Sequence, residues 1–513
     1  MATAALRARP AVPGAPGPPG AADPADPGRG DPARAAAAPG GAVDPRAVVF
    51  SSYVFLFAFL PLVLGAYYAA PRALRSAVLT LASYLFYGWW RLDFAALMLI
   101  STAVDFTCAR RMHGAPIAVR RRYLGLSLAV NLGLLGYFKY AEFGVETLNA
   151  LLSAAGLGEL PGLRVVLPIG ISFYTFQTLS YTIDVYRGHA RPQERLLDFA
   201  AYVALFPQLV AGPIVRYGTV ADQLRGRSHT LPKFAEGVLY FQLGLAKKVL
   251  LADSLAPLAD RAFAGSAAGA EIGAAAAWLG AAAYAFQLYF DFSGYSDMAL
   301  GLGRMFGLVY PPNFASPYRS GSITEFWRRW HVSLSSWLRD YLYVPLGGNR
   351  RGPGRTQLNL AVVMVLGGLW HGAAWSFAAW GAYHGLLLIL ERAAGKRPLY
   401  RALPAVARVA LTFGLVLVGW VVFRAPDLPA AGRHLSLMFG FSGPDPGVPG
   451  VALELSHGVT LLAAAAICFL GRPTQSLVAR PTVPLCLLAG GLFLASVAHL
   501  FFQSYSPFLY FQF

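Results

Sequence analysis

The chain has 513 residues, 56% of them hydrophobic and only 13% charged, with a net charge of +17. A mean hydropathy of +0.50 excludes an ordinary soluble or disordered protein and implies long apolar segments. The basic residues fall in short clusters between those segments: Arg110 and Arg111, Arg120 to Arg122, Arg350, Arg351 and Arg355, Lys396 and Arg397. This is the pattern of cytoplasmic loops under the positive-inside rule and not of a nucleic-acid-binding face.

Residues 1 to 46 consist mainly of Ala, Pro, Gly, Asp and Arg, too poor in large apolar side chains to offset the entropy of ordering, and are expected to be a disordered extension. They lack the apolar core of a signal peptide; a translation start near Val48 would omit them. VVFSSYVFLFAFLPLVLGAYY then begins the membrane-embedded part. Apolar segments follow at 74–90, 93–109, 122–142, 165–186, 198–215, 235–256, 274–304, 358–392, 404–424, 457–472 and 482–502. Segments of this length span as helices, since barrel strands would be half as long and alternating. The expected fold is therefore all-α, a polytopic bundle of about eleven or twelve spans plus interfacial helices, with one membrane domain over 47–513. Breaks at Pro168–Gly170, Pro207 and Gly212–Pro213 place irregular backbone at membrane depth, which is tolerated where it lines a cavity, so a central chamber is expected. Cys108, Cys468 and Cys486 show no paired spacing, so neither a disulfide framework nor a Cys-based metal site is expected.

Between 322 and 343 the pattern changes. Ser322 and Glu325 have the spacing of a capping box, and Pro345 with Gly347 and Gly348 closes the other end. Phe326, Trp330, Leu334, Trp337, Leu338 and Tyr341 form an apolar stripe interrupted by Arg328, Arg329, Arg339 and Asp340, as expected of one helix lying at the interface. His331 belongs to it and is expected near the membrane surface. His371 lies inside the run 358–392, where an ionisable group is costly and points to function. The plainer reading for His371 is a structural histidine bonded to a neighbouring helix; for His331 it is a residue completing an aromatic and basic face, equally compatible with the residues. His384, on the same segment, is expected about 20 Å from His371 if the helix is straight. Asp291 and Asp297 are expected to pair with Arg304, Arg328 or Arg329 inside the bundle, and Asp184 and Arg187 to be structural. The Gly pairs at 347–348 and 367–368 fit a turn and close helix packing.

The stretches LPIGISFYTFQTLSYTIDVYRG, FPQLVAGPIVRY, FDFSGYSDMALGLGRMFG, PPNFASPY, EFWRRWHVSLSSWLRDYLYVPLGGNR, GLWHGAAWSFAAWGAYHG and the terminal SPFLYFQF closely resemble the membrane-bound O-acyltransferase family, in its bacterial polysaccharide branch. The resemblance runs from about residue 48 to the end. It implies transfer of an acetyl group from acetyl-CoA to hydroxyls of an exported polysaccharide such as alginate, at the inner membrane, with a periplasmic acetyltransferase partner. His371 matches the family's characteristic buried histidine and His331 its second motif position. The implied roles are a base or acyl-relay residue for His371 and an assisting one for His331. Moving an acyl group from a thioester to a hydroxyl needs a base and a stabilised oxyanion, and a neutral imidazole suits the first. Arg328 and Arg329 suit the acetyl-CoA phosphates; Arg350, Arg351 and Arg355 are better explained by cytoplasmic retention. No permanently bound cofactor and no metal is implied. The competing readings are an O-acyltransferase acting on a cell-wall polymer, a lipid or a protein, and a transporter built on broken helices.

Overall fold

The computed structural model describes residues 49–89, 91–210, 212–267, 272–395, 398–441, 454–502 and 509; the extension at 1–46 lies outside them. The regular elements among the described residues are all helices, the α-helical ones in the order α1 (Val54–Ala69), α2 (Arg75–Gly88), α3 (Leu92–Met112), α4 (Ile117–Leu135), α5 (Ala141–Ala154), α6 (Ile171–Arg187), α7 (Leu196–Ala204), α8 (Phe206–Leu209) and α9 (Tyr217–Arg225). The chain continues through α10 (Leu231–Ala246), α11 (Asp253–Ala267), α12 (Ala274–Met305), α13 (Ile323–Arg329), α14 (Val332–Leu338), α15 (Gly352–His371) and α16 (Trp375–Ala393). It ends with α17 (Ala405–Arg424), α18 (Leu428–Met438), α19 (Leu455–Phe469), α20 (Thr474–Val478) and α21 (Val483–Phe502). Turns of π-helix join α4 to α5 (Gly136–Tyr140), join α10 to α11 (Lys247–Ala252) and extend α14 (Arg339–Tyr343).

Among the described residues, α3, α17 and α21 are long and apolar enough to cross a bilayer by length and composition alone. Many of the other expected spans are shortened, split or dilute in apolar residues for a physical reason. In a lipid-facing bundle the polar groups turn inward, where protein partners satisfy them. Helix α6 buries Ser172, Thr175, Gln177, Thr178, Ser180 and Thr182, whereas α21 exposes Leu487, Leu488 and Leu494. Between α3 and α4, Asp105 accepts hydrogen bonds from Ser127 Oγ at 2.6 Å and Asn131 Nδ2 at 2.9 Å, all three side chains being buried.

Two expected spans are corrected. The run 198–215 contains the short helices α7 and α8 followed by non-helical backbone, because Pro207 sits in the first turn of a new helix. The run 358–392 is a hairpin of α15 and α16, broken at Gly372 to Ala374. Gly372 is extended, and a Cβ there would lie 2.0 Å from the Phe377 ring, so the sharp reversal needs a glycine.

Helix α12 forms the centre of the bundle, buried along nearly its whole length. It meets α10 through two glycine pairs: a Cβ on Gly301 would lie 2.5 Å from the Gly237 carbonyl oxygen and one on Gly294 2.7 Å from that of Gly244. The backbones touch because no side chain separates them. The same device closes the hairpin, where a Cβ on Gly368 would lie 2.1 Å from the Phe377 carbonyl oxygen, as the 367–368 pair led one to expect. Gly347 and Gly348 adopt positive φ in the expected turn.

The acidic residues of α12 are paired inside the bundle, with different partners from those expected. Lys248 Nζ lies 2.9 Å from Asp291 and 2.6 Å from Asp253, and Lys247 Nζ lies 2.6 Å from Asp297. Arg304 instead reaches Glu236. The π-turn Lys247–Ala252 carries both lysines against α12, a register that composition does not reveal. Asp184 accepts a hydrogen bond from Tyr341 Oη at 2.8 Å, and Arg187 lies over the same ring.

Candidate functional site

The interfacial segment starts as its sequence indicates: Ser322 Oγ accepts from the Glu325 amide at 3.0 Å. It is not one helix, however. Trp330 is extended and His331 takes φ 44°, a left-handed conformation unusual for a residue with a side chain. The strain is held from outside. Asn313 Oδ1 accepts from the Ser333 amide at 3.1 Å and from Ser333 Oγ at 2.9 Å, and the Asn313 carbonyl accepts from the Val332 amide at 3.0 Å. Ser333 Oγ in turn accepts from the Ile214 amide at 3.0 Å. Non-glycine outliers held this firmly are characteristic of functional sites.

The kink corrects the expected position of His331, which is fully buried and not at the surface. Its ring lies edge-on to Phe292 at 4.7 Å between centroids and 6.0 Å from Trp370. His371, the last residue of α15, sits between the Trp370, Trp380 and Phe423 rings at 5.0 to 5.3 Å. The two imidazole centroids are 6.3 Å apart. The histidines are therefore neighbours. Neither ring nitrogen of His331 has a hydrogen-bond partner among the described residues, an arrangement that calls for an explanation at such depth.

A cavity of about 460 Å³ runs from His371 along the hairpin, and His331 does not line it. His371 and Gly367 line it at one end, Arg392 and Leu388 at the other; Trp380 and Arg392 imply a length of roughly 18 Å along α16. Arg328, Arg339 and Arg392 give it a basic end, while Val363, Met364 and Leu360 make its wall apolar. Of the two arginines singled out from sequence, Arg328 lines the cavity and Arg329 does not: Arg329 is ion-paired with Glu325 one turn back. Arg339 is shared with Asp340, which also binds Arg216 at 2.8 Å.

His384 is nearer than a straight helix allows. The hairpin folds it back so that Trp380 lies 5.3 Å from His371 on one side and 5.2 Å from His384 on the other. His384 is fully buried and does not line the cavity.

Three features of the site escaped the sequence reading. Asn313 holds the His331 kink, though its motif, PPNFASPY, drew attention only as family resemblance. The indole N–H groups of Trp327 and Trp380, which line the cavity, have no acceptor among the described residues. Lys139, buried in the π-turn after α4, donates to the carbonyls of Trp370 at 2.6 Å and His371 at 3.1 Å. Its one legible signal was a lysine inside an apolar run, the same signal that marked His371.

The family model for membrane-bound O-acyltransferases matches residues 187–401, which contain both histidines and the cavity-lining residues. A probable alginate O-acetylase of Pseudomonas putida is 47% identical over 490 residues, covering 91% of this chain and 100% of that protein. A probable alginate O-acetylase of Azotobacter vinelandii is 52% identical over 396 residues, covering 77% and 78% of the two chains. A peptidoglycan O-acetyltransferase of Helicobacter pylori is 34% identical over 482 residues, covering 86% and 88%. Likeness of this extent shows that the chain is a membrane protein and an O-acyltransferase of the membrane-bound O-acyltransferase family.

Proposed function

We propose that this enzyme transfers an acetyl group from acetyl-CoA to hydroxyls of an exported polysaccharide such as alginate, at the inner membrane and in concert with a periplasmic acetyltransferase subunit. The single observation that carries the reading is the cavity that joins a basic mouth to His371. An apolar passage with cations at one end suits a thioester on a pantetheine arm, whose phosphates stay with Arg328 and Arg392 while the acyl group reaches the histidines. His371 takes the proton of the attacking hydroxyl as its oxygen bonds to the thioester carbonyl carbon; the C–S bond then breaks and the thiolate collects a proton. His331, a buried ring with two open nitrogens beside His371, orients the hydroxyl or returns that proton. The Trp327 and Trp380 N–H groups are available to the developing oxyanion. Acceptor identity rests on the alginate-directed names of the most similar relatives cited above; the peptidoglycan enzyme of Helicobacter pylori, at lower identity, supports a cell-wall polymer as the second reading.

Deleting the gene is expected to remove O-acetyl groups from the secreted polysaccharide, and the wild-type chain to restore them, as measured by acetate released on mild alkaline hydrolysis. Unchanged acetate in the deletion strain would exclude this acceptor. Arg328→Gln is expected to raise KM for acetyl-CoA about fivefold with kcat within twofold, since an exposed guanidinium at the mouth contributes binding and not chemistry. A fall in kcat at constant KM would contradict that placement.

A further inference from the structure

Helix α15 ends abruptly at His371, inside the bundle, and so leaves its last carbonyls without intrahelical donors. Those carbonyls are taken up by the π-turn Gly136–Tyr140. Tyr140 Oη donates to the Leu369 carbonyl at 2.8 Å. Lys139 Nζ donates to the carbonyls of Trp370 at 2.6 Å and His371 at 3.1 Å, and to Ser172 Oγ at 3.3 Å. Three consecutive carbonyls are thus capped, and the three protons of the ammonium meet three uncharged oxygens.

A lysine at membrane depth is costly, and such residues pair with an opposite charge or with backbone carbonyls. Here the compensation comes from the negative end of a helix and from the carbonyls themselves. Lys139 and Tyr140 both lie in this π-turn, whose additional residue per turn shifts the side-chain register from that of a regular α-helix, and both reach the end of α15. Ser172, on the first turn of α6, ties a third helix to the same point.

We propose that Lys139 is the positioning residue of the acyl-transfer site, its ammonium seated on the Trp370 and His371 carbonyls so that the end of α15 presents the His371 ring to the cavity. The inference rests on His371 being the acyl-transfer base. Lys139 touches the His371 backbone and not the reacting atoms, so its loss disturbs the aim of the imidazole and leaves the donor-binding mouth alone. A neutral donor at this position reaches fewer carbonyls, and an arginine keeps the charge with a different reach.

The test measures labelled acetyl transfer from acetyl-CoA to polysaccharide in membranes of the deletion strain carrying full-length variants at matched abundance. Lys139→Met is expected to lower kcat about thirty- to a hundredfold with KM for acetyl-CoA within twofold, the scale of a misplaced catalytic group. Lys139→Arg is expected to recover at least a third of the lost logarithm of rate. Tyr140→Phe, which loosens the same helix end one carbonyl earlier, is expected to lose less than about threefold, separating aim from general loosening. If Lys139→Met does not accumulate, Lys139→Gln carries the test, with an expected loss of about tenfold in kcat at constant KM. Wild-type kcat in the methionine or glutamine variant overturns the proposal, as does an equal loss in Tyr140→Phe or a rise in KM that accounts for the whole defect. Absence of transfer by the wild-type chain would instead refute the acyl-transfer reading beneath it.

Discussion

His371→Ala is expected to lower acetyl transfer about a thousandfold while the protein accumulates normally. General base catalysis contributes about 10² to 10⁴ in rate, and among the described residues His371 is the one imidazole that lines the cavity, beside Gly367 and Trp380. Folding is expected to survive because the imidazole already borders open volume: shortening it extends a cavity whose packed walls are made by Trp380 and Met364. KM for acetyl-CoA stays near its wild-type value, since Arg328 and Arg392 lie at the far end. Full O-acetylation by His371→Ala at matched membrane levels would remove His371 from the mechanism.

The largest expected effect on folding comes from Lys248→Met. Lys248 is 2% exposed and holds Asp253 at 2.6 Å and Asp291 at 2.9 Å, both also buried. Asp291 further accepts from the Leu509 amide at 3.0 Å, so the cluster joins α11, α12 and Leu509. Removing the cation takes the Lys248 charge away from two buried carboxylates that share it, which costs about 3 to 5 kcal/mol where a buried pair is broken from one side. The variant is expected to accumulate poorly and to melt well below wild type in detergent. Lys248→Met combined with Asp253→Asn and Asp291→Asn is expected to regain most of that loss, because neutral amides carry no unpaired charge. A single variant with wild-type melting would show that the cluster contributes no net stability.

Much of the site was legible one residue at a time. A histidine in an apolar run, a capping box at Ser322 and Glu325, and glycine pairs at a turn and a helix contact are local signals, because each depends on the residue and its immediate neighbours. His331 was misplaced because its surroundings in sequence, Arg328, Arg329 and three tryptophans, describe an interface, whereas its depth depends on one φ angle held by Asn313 and, through Ser333, by Ile214. The hairpin was missed although a continuous helix over 358–392 would be about 50 Å long, well beyond the thickness of a bilayer core. That excess length, with Gly372 near its centre, was the available clue.

The sequence by itself determined the class of molecule, its helical and membrane-embedded character, the family and the burial of His371, since apolar runs, helical period and motif are written along the chain. Tertiary structure alone decided that His331 and His371 are neighbours, that Arg328 and not Arg329 faces the cavity, that Lys247 and Lys248 answer the acids of α12, and that Lys139 caps the helix ending in His371. These are contacts between segments far apart in the chain. They depend on helix ends, π-turns and a single left-handed residue, each of which changes the direction of a side chain without leaving a periodic trace in the composition around it.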